Sequence, residues 1–138
     1  MKKILLITTG GTIACIKTAS GLIPHATPLE LLKEVEVHGI SHITGGGFYE
    51  NIPRSIPEGL GAKIDKSKVR ILPIFDLIQK VGGISERDMF NTYNMGVGMS
   101  IVVAAEDTDK ALEILKANGE DAYVIGSVIE SDEGVIIE

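Results

Sequence analysis

A chain of 138 residues, 44% of them hydrophobic and only 4% aromatic, has the material for one packed domain of an ordinary α/β kind. Its net charge of −6, with no basic run or stripe, argues against a nucleic-acid surface, and no apolar segment is long enough to span a membrane. The single cysteine, Cys15, cannot form an internal disulfide and stands in no metal-ligand spacing, so a reducing, cytoplasmic setting is expected.

From the start of the chain, Lys3–Thr8 reads as a buried strand. The apolar run Ile4-Leu5-Leu6-Ile7 is too short for the core of a signal peptide. Gly10-Gly11 marks a sharp turn and Gly21–Ala26 a loop. Thr27-Pro28-Leu29-Glu30 has the chemistry of a helix start: a capping hydroxyl, a proline at the first helical position and a glutamate that completes a capping box. That helix is expected to end near Glu36, and His38–Ile43 to form a short strand. Ala62–Asp65 reads as another. Pro73–Val81 carries Ile74, Leu77, Ile78 and Val81 at helical spacing and is expected to bury that stripe in the core, with Gly82 as the stop. Ser85 offers the next cap. Met99–Ala104 is a continuous apolar run, as in a central strand covered on both faces. Asp107 or Thr108 caps a helix through Asn118, whose Ala111–Leu115 stripe is again expected in the core. Tyr123–Ile129 and Val135–Ile137 read as strands around the turn Ser131-Asp132-Glu133-Gly134, so the last forty or so residues read β-α-β-β.

The densest chemistry lies at His42-Ile43-Thr44-Gly45-Gly46-Gly47-Phe48-Tyr49-Glu50-Asn51-Ile52-Pro53-Arg54. Three consecutive glycines put no side chain between backbone and ligand, and they reach the positive φ angles that turn several N–H groups toward one point. The functional reading of Thr44, Gly45, Gly46 and Gly47 is an anion cradle; the plain one is a tight turn. Asn51 and Arg54 could hold a phosphate or ribose, Arg54 through a bidentate fork, or simply face solvent. Asn91, Asn94, Gly96 and Gly98 make a second glycine-and-amide turn, either beside the first or as an ordinary strand entry. His25 and His38 read as ordinary.

Beyond these local readings, residues from about Pro28 to Glu138 resemble the C-terminal half of aminoimidazole ribonucleotide synthetase (phosphoribosylformylglycinamidine cyclo-ligase). The resemblance is carried by His38-Gly39-Ile40-Ser41-His42-Ile43-Thr44-Gly45-Gly46-Gly47, Glu50-Asn51-Ile52-Pro53-Arg54, Pro73-Ile74-Phe75-Asp76-Leu77, Met89–Met99 and Ala122–Gly126. It implies an α/β (α+β) fold, a mixed sheet with packed helices, partly ferredoxin-like toward its end. It also implies ATP- and Mg²⁺-dependent ring closure of formylglycinamidine ribonucleotide in purine biosynthesis, with a phosphorylated ribonucleotide bound in a cleft between two domains. By that analogy His42 is the candidate catalytic or substrate-polarising side chain, against the alternative of a structural histidine bonding a backbone carbonyl. The family's N-terminal ATP and metal motifs are not found, and no metal ligands are assigned. The chain alone is therefore expected to lack turnover, and binding of a phosphorylated ligand without catalysis is the alternative function. A missing N-terminal domain, or self-association of exposed apolar surface, is the expected protein partner.

Lys2 to about Val35 instead resembles the start of bacterial L-asparaginase, through Thr8-Thr9-Gly10-Gly11-Thr12-Ile13-Ala14 and Thr27-Pro28-Leu29-Glu30-Leu31-Leu32. In that family the residue matching Thr12 is the nucleophile, and a hydroxyl needs an activating base. The family's partner motif, His-Gly-Thr-Asp, is absent, since His38-Gly39 is followed by Ile40-Ser41. Thr12 thus reads as a vestigial nucleophile and amidase activity as a remote alternative. The chain divides as a fragment over 1–35 joined, within 28–36, to a cyclo-ligase-like domain over 36–138, a chimera by this reading.

Overall fold

The computed structural model describes residues 33–138 throughout and, ahead of them, three strands. In chain order the elements are β1 (Ile4–Gly10), β2 (Cys15–Thr18), β3 (Gly21–Pro24), β4 (Val37–His42), α1 (Gly47–Asn51), β5 (Leu60–Ile64), α2 (Pro73–Gly82), α3 (Glu86–Thr92), β6 (Val97–Ala104), α4 (Thr108–Ala117), β7 (Tyr123–Glu130) and β8 (Val135–Ile137). Thr12, His25 and the helix start at Thr27–Glu30 lie outside the described residues.

Six strands form one mixed sheet in the order β4-β6-β1-β7-β5-β8, while β2 and β3 pair apart from it. Neighbouring strands of the sheet run antiparallel except β5 and β8, which run parallel. The first strand is interior: Ile4 stands opposite Ala104 of β6 on one side and Val128 of β7 on the other.

The two faces of the sheet follow from the alternation of side chains along β6. Val102 joins Phe48, Ile52, Met89 and Phe90, so α1 and α3 cover one face. Ile101 and Val103 join Ala111 and Leu115, so α4 covers the other. On β7 a bulge interrupts the alternation: Leu6 pairs with Gly126 and Ile7 with Val124, which skips Ile125. The extra residue lets Ile125 and Val128 reach the same core despite their odd spacing.

Local chemistry explains most boundaries. The Ser85 side chain accepts a hydrogen bond from the Asp88 N–H at 3.1 Å and caps α3. Pro73 opens α2, and Gly83 closes it in the left-handed conformation, φ 60°.

Two expectations are corrected, and the two last strands, found where expected, have a partner between them. Gly21–Pro24, read as part of a loop, is a strand paired with Cys15–Thr18; the β-favouring Leu22-Ile23 outweigh the flanking glycine and proline. β7 and β8 do not pair across their turn, because β5 lies between them, with Ala62 opposite both Val128 and Val135. The turn is tied to β5, the Ala62 N–H donating to Gly134 O at 2.8 Å. Finally, of the α2 stripe only Ile78 packs against the core, half-buried. None of its residues is buried, and Ile74, Leu77 and Val81 are 52%, 56% and 80% exposed. The helix rests on the domain through its other edge, where Phe75 stacks on Tyr93 with ring centroids 5.8 Å apart. The Ala111–Leu115 stripe does enter the core, both of those residues being fully buried.

Candidate functional site

The Gly-rich turn is built where β4 leaves the sheet. His42, the last residue of the strand, is opposite Met99 of β6 and exposed. Its imidazole has no hydrogen-bond or ion-pair partner among the described residues. Ile43, buried, donates its N–H to Gly98 O at 2.9 Å, which ties the first turn to the second. The chain then reverses through Thr44, Gly45 and Gly46, with the Gly47 N–H donating to Thr44 O at 3.0 Å.

Each glycine of the triplet meets a different demand. Gly46 and Gly47 hold φ values of 96° and 55°, in the left-handed region. A Cβ on Gly47 would lie 2.0 Å from the carbonyl oxygen of Phe90 and 2.9 Å from that of Tyr93, so α1 begins in backbone contact with the end of α3. A Cβ on Gly45 would meet nothing within 4 Å. Gly45 is the open side of the turn.

Asn51 sets the polarity of this turn. It is 3% exposed, and its side-chain amide donates to Gly47 O at 2.7 Å and Gly45 O at 3.2 Å, with Thr44 O at 3.4 Å. In a trans peptide the carbonyl and the following N–H point in opposite directions. Drawing the Thr44 and Gly45 carbonyls inward to Asn51 therefore aims the N–H groups of Gly45 and Gly46 outward. Neither N–H has an acceptor among the described residues. Two adjacent outward N–H groups on an exposed turn form the kind of concavity that receives an anion. Asn51 itself spends its donors on the loop and acts there by positioning.

Charged side chains frame the turn. Arg54 is largely exposed; its guanidinium reaches Asn51 Oδ1 at 3.4 Å and stands 3.9 Å from Glu50. The Glu50 carboxylate leans over Gly46, one oxygen 2.6 Å from where a Cβ on Gly46 would sit. An incoming anion must displace it, and Arg54 is placed to take either negative group. Arg87 of α3 stacks on the ring of Tyr49 of α1, 4.2 Å from its centroid. This second cation was not legible in the sequence, since 38 positions separate it from Tyr49 and only the docking of α3 on α1 joins them.

The second turn is joined to the first at some positions and not at others. Gly98 is bonded to Ile43, as above, and Asn91 lies half-buried on α3. Asn94 closes the turn on itself, its side-chain oxygen accepting the Gly96 N–H at 3.0 Å and its carbonyl the Val97 N–H at 2.8 Å. Gly96, φ 98°, faces away toward Arg70 O and Leu72. Asn94 and Gly96 thus serve as turn formers with their groups already engaged. Among the described residues no group of three His, Cys, Asp or Glu side chains could hold a metal ion. No helix among them is long and apolar enough to cross a membrane.

Comparison with known proteins gives the family of the chain. The family described as AIR synthase related protein, C-terminal domain, matches residues 23–138. The phosphoribosylformylglycinamidine cyclo-ligase of Thermoanaerobacter sp. (strain X514) is 52% identical over 109 residues, covering 79% of this chain and 32% of that protein. The enzyme of the same name from Bacillus cereus (strain G9842) is 53% identical over 102 residues, covering 74% of this chain and 30% of that protein. The chain thus spans about a third of the length of these curated relatives. Among solved structures, E. coli HypE, a hydrogenase maturation protein, superposes with a TM-score of 0.68 at 20% identity, over 99% of this chain and 46% of that one. A HypE solved in complex with ATP gives 0.70 at 17% identity, over 100% and 48%. T. maritima PurL complexed with AMPPCP gives 0.58 at 18% identity, over 94% and 22%. These three distant likenesses speak for the fold, and the sequence match settles the family: this chain belongs to the AIR synthase related proteins through their C-terminal domain.

Proposed function

We propose that this chain supplies the phosphate-facing half of a cyclo-ligase site and binds a phosphorylated ribonucleotide at the Thr44–Gly47 turn. The observation that carries the reading is the pair of outward N–H groups at Gly45 and Gly46, fixed by Asn51 from behind. Backbone donors held in place lose little entropy on binding and suit a phosphate oxygen. Arg54 supplies the counter-charge once it exchanges Glu50 for the ligand, and His42, exposed at the mouth of the turn, is the side chain offered to the reacting end. Asn91 and Gly98 form the neighbouring wall.

The reaction assigned to the site is that of the cyclo-ligases in purine biosynthesis. ATP activates the amide oxygen of formylglycinamidine ribonucleotide, and the amidine nitrogen closes the imidazole ring of aminoimidazole ribonucleotide as phosphate leaves. Transfer of the phosphoryl group needs stabilising charge, and the described residues offer two arginines and backbone amides for it but no carboxylate cluster. These 138 residues by themselves are therefore expected to bind and not to turn over, in a cytoplasmic setting.

Titration of the purified chain with formylglycinamidine ribonucleotide, followed by amide NMR, tests the binding. The Gly45 and Gly46 signals should shift, and Gly45→Val should weaken binding at least tenfold while leaving the fold intact. Unchanged affinity in that variant would sink the cradle assignment. Steady ring closure by the purified chain with ATP would overturn the division between binding and turnover.

A further inference from the structure

The glycine turn already has an anion beside it, and that anion belongs to the chain. Glu50 follows Gly46 by four residues, on α1, and its side chain folds back over the turn. Its carboxylate carbon and one oxygen lie 2.9 Å and 2.6 Å from where a Cβ on Gly46 would sit. By ordinary bond geometry that oxygen is within about 5 Å of the Gly46 nitrogen. The Cβ of Glu50 is itself 2.8 Å from the same point. No rotation of the side chain can therefore carry the charge beyond about 9 Å from that nitrogen. That is inside one screening length at moderate ionic strength. Glu50 acts on whatever binds at the turn, whichever way it points.

Arg54 is the cation that the two anions share. One guanidinium nitrogen reaches Asn51 Oδ1 at 3.4 Å, and the other stands 3.9 Å from the Glu50 carboxylate. The first contact ties Arg54 to the same amide that aims the turn outward. The second is longer than a hydrogen bond, and both of its ends are more than half exposed, so it holds the carboxylate loosely. Apart from Arg54 that carboxylate has no partner among the described residues. A firmly bonded carboxylate would close the turn; a loosely held one yields to a ligand and resists it.

We propose that Glu50 is an internal competitor for the phosphate. The ligand binds by exchanging one anion for another at Arg54, and the displaced carboxylate, unable to leave the neighbourhood, goes on repelling it. This inference rests on the binding function proposed above and adds its regulation: Glu50 holds affinity down and eases release. A phosphate monoester carries about two negative charges. Facing a unit charge across about 5 to 9 Å of water, it loses about three- to tenfold in affinity at an ionic strength of about 10 mM.

The test is amide NMR titration of the full chain with formylglycinamidine ribonucleotide, read at Gly45 and Gly46, at about 10 mM and about 0.5 M salt. Glu50→Gln should tighten binding about three- to tenfold at low salt, and the gain should shrink at high salt. Glu50→Ala should do the same, which separates loss of the charge from any new hydrogen bond made by the glutamine amide. The phosphate-free ribonucleoside should gain nothing from either change. Glu50 is exposed, so the melting temperature should hold steady in both variants. If the parent's Gly45 and Gly46 signals shift and neither variant binds more tightly, the competition is overturned and the cradle stands. A gain indifferent to salt would overturn it as well. If the ligand moves neither amide in any chain, the cradle falls and the competition with it.

Discussion

Gly47→Ala and Gly45→Ala add the same single carbon two positions apart, and the structure assigns them opposite outcomes. At Gly47 the methyl would sit 2.0 Å from the Phe90 carbonyl oxygen, a backbone atom that cannot swing aside. Relief requires α1 or the end of α3 to recede by about 1 Å, an overpacking cost of about 1–3 kcal/mol. The left-handed backbone at φ 55° adds about 1 kcal/mol for a residue with a Cβ. The sum, about 2–4 kcal/mol, is a large share of the 5–15 kcal/mol typical of a domain. With an unfolding entropy of about 2.1 cal/mol/K per residue over 138 residues, it lowers the melting temperature by about 7–14 °C. At Gly45 the methyl meets open space, so stability should stay within about 0.5 kcal/mol of the parent. Paired thermal melts by circular dichroism, confirmed by urea unfolding, read the contrast. A Gly47→Ala chain melting within about 2 °C of the parent would refute the close approach of α1 to α3, and with it the geometry that aims the turn outward.

Other outcomes follow from the same structure. Phe90→Ala removes a buried ring that packs edge-on against Phe48 with centroids 5.1 Å apart, and should cost about 3–5 kcal/mol, measured by urea unfolding. Asp65 accepts from the N–H and hydroxyl of Ser67 and pairs with Lys68 at 2.9 Å; the Ser67 bond first, then Lys68, hold its carboxyl below the ordinary value of 3.8. Since the folded value is the depressed one, its contribution is present above pH 4 and lost as pH falls through the folded value; Asp65→Asn should flatten the acid limb of a pH–stability curve below that point and leave neutral pH little changed. Removing residues 1–10 deletes β1, whose seven residues pair with β6 and of which five, Ile4 to Thr8, pair also with β7. At about 1 kcal/mol net per ladder bond that loss rivals the whole stability of the domain, so the shortened chain should bind ANS and lose its cooperative melt.

How much of this was legible beforehand depends on how local the cause is. The Ser85 cap, the proline start of α2, the buried run in β6 and the pairing-competent β5 each rest on neighbours in sequence, and each was readable. The Gly-rich turn was readable as a turn with exposed amides, because three glycines followed by an asparagine four to six residues on is a local arrangement. The inward role of Asn51 was not. An amide beside a glycine loop can face ligand or loop, and only the carbonyl positions decide. Arg87 over Tyr49 was invisible, since the pair meets through the docking of two helices. The α2 stripe shows the limit of periodicity most clearly. A period of 3.6 states that one face seeks cover; it does not state which polypeptide provides it.

The place of β1 follows a different logic from that of the glycine turn. The slot between β6 and β7 asks for a strand that bonds antiparallel on both sides, and those bonds are made by backbone groups that every residue carries. Such a slot tolerates wide change in sequence provided the segment is extended and β-favouring, as Ile4-Leu5-Leu6-Ile7 is. The HypE and PurL folds keep the architecture at about one-fifth identity. The turn at Gly45–Gly47 has no such latitude, because Phe90 O and the Asn51 amide press on it from two sides. The family match begins at residue 23, after β1 and before that turn. The turn whose demands are atomic lies within that match.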